Sequence, residues 1–278
     1  MAKALAARGV AITIAETDRR GHAEALARKA AQAGERLVVA AGGDGTIAEV
    51  ANGLAGSDAA LGVIPLGTAN VIAHEWGLPF TPAAIAETLA SGRRRALHPL
   101  RARFGDGSSR LVLQMLGVGL DSAVVAALNG ALKRRIGKGA YVLETARQVL
   151  TWPFPSLALC LDGEATDTAQ VIATKGRYYG GRLLLAPHAR ADQPGFIACL
   201  FAKRGRLAAM RAGLALPLNL LPRCGGVTQR PARSLQILFL SPADLPVQAD
   251  GDLIGRTPVA VDDAEATIPL IVPGGSKG

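Results

Sequence analysis

The sequence predicts an α/β fold in which a parallel sheet with helices on its faces is followed by a second, β-rich domain. Three observations carry this expectation. Apolar strand-like runs alternate with helical stretches up to residue 91, glycines mark the strand-to-helix junctions, and beyond residue 97 short strand-like segments separated by turn signals predominate. With 278 residues, 49% of them hydrophobic and 19% charged, the chain can fill one large core or two ordinary ones and is not of disordered type.

Taken in order, residues 1–8 read as the end of an alanine-rich helix and 10–15 as a short strand, followed by a helix over 22–33 that Gly34 closes. Strands at 37–41 and 61–64 alternate with helices at 47–54, 69–76 and 82–90, the last framed by Thr81-Pro82 and Ser91-Gly92. Segments 97–104 and 110–116, joined by Gly105-Asp106-Gly107, read as a hairpin. Helices are then expected at 121–130, 139–151 and 206–214, and strands at 156–161, 168–174, 195–201, 235–240 and 247–249. The domain boundary falls near residue 97, dividing the chain into 1–97 and 98–278, with the last strand a candidate to return to the first domain.

The formal net charge of +9 and a pI near 10.0 favour an anionic partner. Arg93-Arg94-Arg95 and Lys133-Arg134-Arg135 are the densest basic runs; each reads either as a solvated surface or, for the second, as a contact for anionic headgroups. An aromatic content of 4% argues against a stacking platform for single-stranded nucleic acid. Cys160, Cys199 and Cys224 are too few and too scattered for a disulfide framework or a metal knot, which fits a reducing cytoplasm. His22, His74, His98 and His188 show no ligand spacing. Arg211, Pro217 and Asn219 interrupt the most apolar region, so any membrane contact is expected to be peripheral.

The chemistry concentrates at two junctions. The run Leu37-Val38-Val39-Ala40-Ala41 feeds Gly42-Gly43-Asp44-Gly45-Thr46, and Leu61-Gly62-Val63-Ile64 feeds Pro65-Leu66-Gly67-Thr68-Ala69-Asn70. Glycines let a ligand approach the backbone, and N–H groups at a turn and helix start face an anion, so phosphate is the natural guest. Asp44 would repel bare phosphate, which suggests a magnesium ion or a substrate hydroxyl between them and hence phosphoryl transfer; alternatively Asp44 is a helix cap in a plain glycine turn. Both junctions lie at carboxyl ends of predicted strands, where open parallel sheets bind ligands.

These two blocks, with Glu49 and Asn52 three residues apart on one helix face, resemble the diacylglycerol kinase catalytic domain shared by bacterial lipid kinases, sphingosine kinases and ceramide kinases. The glycine block alone also resembles NAD kinases and phosphofructokinases; the second block selects the lipid branch. The resemblance implies a Rossmann-like three-layer N-terminal domain of the NAD kinase/diacylglycerol kinase type and a mainly β sandwich second domain. It further implies ATP and Mg2+ as cofactors and transfer of the γ-phosphate to the hydroxyl of diacylglycerol or a related lipid. Such a protein would be cytoplasmic, peripheral on the inner face of the membrane, with no specific nucleic acid as partner; oligomeric state has no signature here.

Carried over residue by residue, the nucleotide would be held by Thr17, Gly42, Gly43, Asp44, Gly45, Thr46, Glu49, Asn52, Gly67 and Thr68. Thr17 reads equally as a helix N-cap. Asp44, Asp250 and Asp252 would share base and magnesium duties, Asp252 matching the family's proton acceptor in Asp250-Gly251-Asp252 where relatives usually have Asp-Gly-Glu; a hairpin turn is the other reading. Gly117-Val118-Gly119-Leu120-Asp121 and Gly176-Arg177-Tyr178-Tyr179-Gly180-Gly181 also match family blocks. Ala191-Asp192-Gln193-Pro194-Gly195-Phe196 stands where relatives hold a structural magnesium ion, and Asp192 is the one carboxylate left to bind it. The family's opening strand and Asn-Pro-x-Ser-Gly loop have no counterpart ahead of Met1, which reads either as a misassigned start or as a shortened protein, and Val71 stands where the resemblance implies an Asp. These departures keep a catalytically silent lipid-binding homologue open beside the enzyme, with an NAD-type kinase as a third reading.

Overall fold

A computed structural model describes residues 2–128, 138–238 and 244–274 and divides into two units, residues 1–98 with 265–278 and residues 99–264. The basic run Lys133-Arg134-Arg135 and the far ends of the elements expected at 121–130 and 235–240 lie outside the described residues.

The first unit is built on parallel strands, numbered here in chain order. After α1 (Ala2–Ala6) come α2 (His22–Gln32), β1 (Leu37–Gly42), α3 (Asp44–Gly53), β2 (Ala60–Pro65), α4 (Val71–Glu75), α5 (Pro82–Ser91) and β3 (Arg93–Leu97). β1 and β2 run parallel from Leu37 opposite Ala60 to Gly42 opposite Pro65. β18 (Ile268–Val272) inserts between β2 and β3, giving the order β1-β2-β18-β3. It pairs parallel to β2 and antiparallel to β3. Ala60, Leu61 and Val63 are buried in β2, as an interior strand covered on both faces requires.

One expectation needs correction in this unit. Residues 10–15 form no strand: the alternation of Val10, Ile12 and Ile14 finds no neighbour to pair with, and both isoleucines are exposed. Arg93-Arg94-Arg95 is exposed, as a solvated run would be, and forms the start of β3, because a strand paired to β18 can direct charged side chains to water.

The second unit is a sandwich of two antiparallel sheets between which the chain crosses repeatedly. One contains β4 (Leu100–Phe104), β5 (Ser109–Val112), β7 (Leu157–Leu161), β8 (Glu164–Thr168), β14 (Ser234–Ile237) and β17 (Val259–Asp263), in the order β5-β4-β17-β14-β7-β8. The other contains β6 (Met115–Val118), β9 (Gln170–Thr174), β12 (Phe196–Phe201), β13 (Val227–Ala232), β15 (Pro246–Ala249) and β16 (Asp252–Arg256), in the order β13-β12-β9-β6-β15-β16. A small ladder joins β10 (Tyr178–Tyr179) to β11 (Leu183–Leu184). Leu100, Leu159, Leu161 and Leu235 from the first sheet meet Leu116, Val171 and Ala198 from the second in one core.

The expected hairpin over 97–104 and 110–116 is shorter than its apolar pattern: β4 pairs with β5 from Leu100 opposite Val112 to Arg103 opposite Ser109, and Met115–Val118 joins the opposite sheet. The chain changes sheets at Leu113-Gln114, and α6 (Leu120–Ala127) follows directly.

Close packing of α2 on α3 depends on Gly53. A methyl group there would lie 2.8 Å from the Ala27 Cβ and fall on the Glu24 carbonyl oxygen. In an isolated helix Gly→Ala is favourable by about 1 kcal/mol; here the overlap dominates, and Gly53→Ala is expected to lower stability by about 1–3 kcal/mol. A urea melt that shows the variant equal to or more stable than the parent would remove Gly53 from this role.

Candidate functional site

In the first unit the ends of β1 and β2 are held against each other by their glycines. Leu66 donates its N–H to the Gly42 carbonyl at 2.9 Å. A Cβ on Gly67 would sit 2.5 Å from the Gly43 Cα, and one on Gly43 would sit 3.2 Å from the Gly67 Cα, so the two loops touch backbone to backbone. Thr46 folds over Gly42, whose added Cβ would meet the Thr46 Oγ1 at 2.5 Å. Asn70, in left-handed conformation with φ 48°, ties the second loop from both sides: its Oδ1 accepts from Gly67 N–H and its Nδ2 donates to the Gly67 carbonyl, each at 2.8 Å.

Gly43 is the extended N-cap of α3, and Asp44, Gly45 and Thr46 form its first turn. The N–H groups of a first turn have no carbonyl ahead of them within the helix and carry the positive end of its dipole. The junction therefore fits a phosphate. Asp44 adds a carboxylate whose Oδ1 accepts from the Ile72 N–H at 3.1 Å, so it caps the start of α4 and not its own helix. Glu49 holds a third loop: its two oxygens accept from Gly21 N–H at 2.8 Å and Ala23 N–H at 3.2 Å. Gly21, with φ 80°, is the N-cap of α2, which corrects the capping alternative for Thr17; Thr17 is exposed, as is Thr68. Asn52, one turn along α3 from Glu49, donates Nδ2 to the Ala48 carbonyl at 2.8 Å.

The second unit carries the other two candidate carboxylates, and they differ sharply. Asp250 and Gly251 have φ 51° and 85°, the paired positive values of a tight hairpin turn between β15 and β16. The Asp250 carboxylate accepts three backbone N–H bonds, from Leu113 at 2.8 Å, Gln114 at 2.8 Å and Met115 at 3.0 Å. Those are the residues where the chain changes sheets, so Asp250 pins that crossing. Asp252 begins β16 and is half-buried.

Behind the turn lies a buried chain of polar groups. Gln248 accepts from Gly251 N–H at 3.1 Å through Oε1 and donates Nε2 to Asp121 at 2.7 Å. The Tyr179 hydroxyl donates to the other Asp121 oxygen. Burial pushes the Asp121 carboxyl above its ordinary range, and burial, then the adjacent Asp121 charge, pushes the Tyr179 phenol well up. Gly117 makes room: a Cβ there would come within 2.9 Å of the Gln248 Nε2 and onto the Asp121 carboxylate. Sequence reasoning passed over Gln248, because a glutamine two residues before an Asp-Gly turn has no distinguishing pattern.

Asp192, the expected metal ligand, is turned toward an arginine: Arg190 Nε lies 3.1 Å from Oδ1 and its terminal nitrogen 3.4 Å from Oδ2. Among the described residues no three His, Cys, Asp or Glu side chains converge as a metal site.

Residues 1–102 match the diacylglycerol kinase catalytic domain, and residues 114–274 match the YegS C-terminal NAD kinase beta sandwich-like domain. A Pseudomonas aeruginosa PAO1 protein described as "Probable lipid kinase YegS-like" is 33% identical over 194 residues, covering 67% of this chain and 61% of its own length. A Chromohalobacter salexigens protein of the same description is 30% identical over 234 residues, covering 82% and 73%. A Mycobacterium tuberculosis protein described as "Diacylglycerol kinase" is 32% identical over 160 residues, or 56% of this chain and 52% of its own. The match thus spans about three fifths of the P. aeruginosa relative. The crystal structure of a diacylglycerol kinase from Bacillus anthracis strain Sterne aligns over 97% of this chain and 88% of its own, with a TM-score of 0.70 at 18% identity. A second structure from that strain covers 97% and 87%, with a TM-score of 0.78 at 22% identity, a likeness that establishes the fold. With both domain models matched in sequence order and the YegS-like relatives aligned across most of its length, the chain belongs to the diacylglycerol kinase family, in its YegS-like lipid kinase branch.

Proposed function

We propose that this chain transfers the γ-phosphate of ATP to the hydroxyl of diacylglycerol or a related lipid. The observation that carries the reading is the paired glycine junction at Gly43 and Gly67, where two loops touch backbone to backbone at the start of α3, beside Asp44. Gly42, Gly43, Gly45 and Thr46 hold the triphosphate through backbone N–H groups, with Thr68 on the neighbouring loop that Gly67 lets approach Gly43. Glu49 fixes the loop that carries Thr17 toward α2, and Asn52 stiffens the same helix face. Asp44 supports Mg2+, which when bound neutralises the phosphate oxygens. The lipid hydroxyl forms a bond to the γ-phosphorus as the bond to the bridging oxygen of ADP breaks, and its proton passes to Asp252. Asp252 is the acceptor that the family resemblance implies, whereas Asp250 is engaged by three N–H groups.

A second reading, a silent lipid-binding homologue, is favoured by Val71, which is buried at the first turn of α4 where many relatives carry a carboxylate. Phosphate transfer from radiolabelled ATP and Mg2+ to micellar lipids decides between them. Asp252→Asn is expected to lower kcat by about 10²–10⁴ with the urea midpoint little changed. Asp44→Asn keeps an acceptor for the Ile72 N–H, and is expected to lose transfer without unfolding. Asp250→Ala is expected to lose about 3 kcal/mol or more of stability, since three backbone donors lose their acceptor. Full activity in Asp252→Asn and Asp44→Asn, or no transfer by the parent to any lipid, would reject the kinase reading.

The same reading needs access to a bilayer, and no helix among the described residues is long and apolar enough to cross one. The helix Arg206–Ala215 has no buried residue and exposes Leu207, Met210 and Leu214 at helical spacing. Lys203, Arg204, Arg206 and Arg211 surround it, and the sequence has no acidic residue between Asp192 and Asp244. The helix Lys138–Thr151 packs against it and exposes Val142, Leu143 and Leu150. An apolar face bordered by cations suits an anionic bilayer surface. Cosedimentation should show binding to vesicles of phosphatidylcholine with phosphatidylglycerol, weakened in Leu207→Ser/Leu214→Ser; equal binding by that variant would place the contact elsewhere.

A further inference from the structure

Lys175 directly follows β9, with its side chain 0% exposed. A buried ammonium has to be met by oxygen atoms, and these are all on one turn and its neighbour. Nζ donates to the Gln193 carbonyl at 2.6 Å and to the Gly195 carbonyl, and it lies 3.7 Å from Asp263 Oδ1. Asp263 closes the same turn from the other side, accepting the Gly195 N–H at 2.8 Å with each oxygen. Arg233 stands 3.7 Å from Asp263 on the solvent side.

Two carbonyls and a carboxylate around one positive centre are the kind of hard oxygen donors that a magnesium or calcium ion takes. The centre is already filled by nitrogen. A divalent ion bound to the same carbonyls would meet the ammonium with like charge at contact distance, and Asp192, the remaining carboxylate of the turn, is paired with Arg190. The residues present therefore do not fit the structural metal that the family resemblance implies at this turn.

We infer that Lys175 is the resident cation of the 190–195 turn, its ammonium standing in for a divalent ion, so that this chain closes the turn without metal. Burial lowers the Lys175 pKa from 10.5 to about 8, opposed chiefly by Asp263, so the group keeps its proton at neutral pH. The inference is independent of the kinase reading, because it concerns how the turn is held and its test needs no turnover.

The test is thermal unfolding of the chelator-treated chain at pH 7 without nucleotide, with and without Mg2+ or Ca2+, beside elemental analysis of the protein as purified. The parent is expected to contain no stoichiometric divalent ion and to show a Tm that neither ion moves. A bound equivalent of metal, or a Tm raised by about 4 °C or more, would overturn the inference. Lys175→Ser removes the ammonium and leaves the oxygen donors, so its Tm is expected to rise with Mg2+ or Ca2+ where the parent's does not. A folded Lys175→Ser as indifferent to both ions as the parent would show that the donors are no cation site; if that variant does not fold, the metal content and ion response of the parent decide alone.

Discussion

Backbone N–H groups at loops that are partly shielded from water must find an acceptor, and in this chain side-chain carboxylates supply it again and again. Glu49 serves Gly21 and Ala23, Asp44 serves Ile72, Asp250 serves Leu113, Gln114 and Met115, and Asp263 serves Gly195. Asp162 does the same for Arg233 and Ser234, and those bonds hold its carboxyl below the usual range against a contrary effect of burial. Each carboxylate fixes a segment distant in sequence, so loops that would otherwise wander are set by charge-assisted bonds stronger than neutral ones. The charge is what makes the loops around the candidate site definite.

This use of carboxylates separates residues that sequence alone treats as equals. Asp44, Asp250 and Asp252 all stand beside glycine in turn-like surroundings. Asp250 is absorbed by a structural task, Asp44 shares one oxygen with a helix start, and Asp252 sits at the head of a strand next to a turn immobilised by Gln248. A catalytic carboxylate acts only if its position is fixed to within a fraction of an ångström, and fixing it is work for neighbours that do no chemistry themselves. On the kinase reading proposed above, Asp250 and Gln248 do this for Asp252, one by anchoring the turn to the crossing strand and the other by linking it to buried Asp121.

Legibility in the sequence followed the range of the forces involved. The glycine junctions and the helices and strands around them were readable because each rests on local facts: apolar runs, glycine where no Cβ fits, proline at a helix start. β13, β16 and β17 were not singled out, since Val227–Ala232 and Asp252–Arg256 carry prolines, glycines and charges and become strands through their partners in the sheet. Residues 10–15 fail in the opposite sense, having the alternation of a strand and no partner. Among site residues the same division holds. Gly43 and Gly67 could be read, whereas Lys175, Gln248 and Asp263 take their roles from contacts made across long stretches of sequence, 127 residues in the case of Gln248 and Asp121.

Glycine contributes twice in this protein, and the two uses differ in what they would tolerate. Gly251 and Asp250 need positive φ, a requirement of conformation that asparagine or aspartate can also meet, as Asp250 itself shows. Gly43, Gly67 and Gly117 have no such φ; they are small because another chain segment or a buried carboxylate lies where a methyl group would be. A requirement of space cannot be met by any other residue without moving the neighbour, which is backbone for Gly43 and Gly67 and the Asp121 and Gln248 side chains for Gly117. The glycines that bring Gly43 to Gly67 and Asp121 to Gln248 are therefore the least replaceable residues of their loops, although none of them offers a functional group.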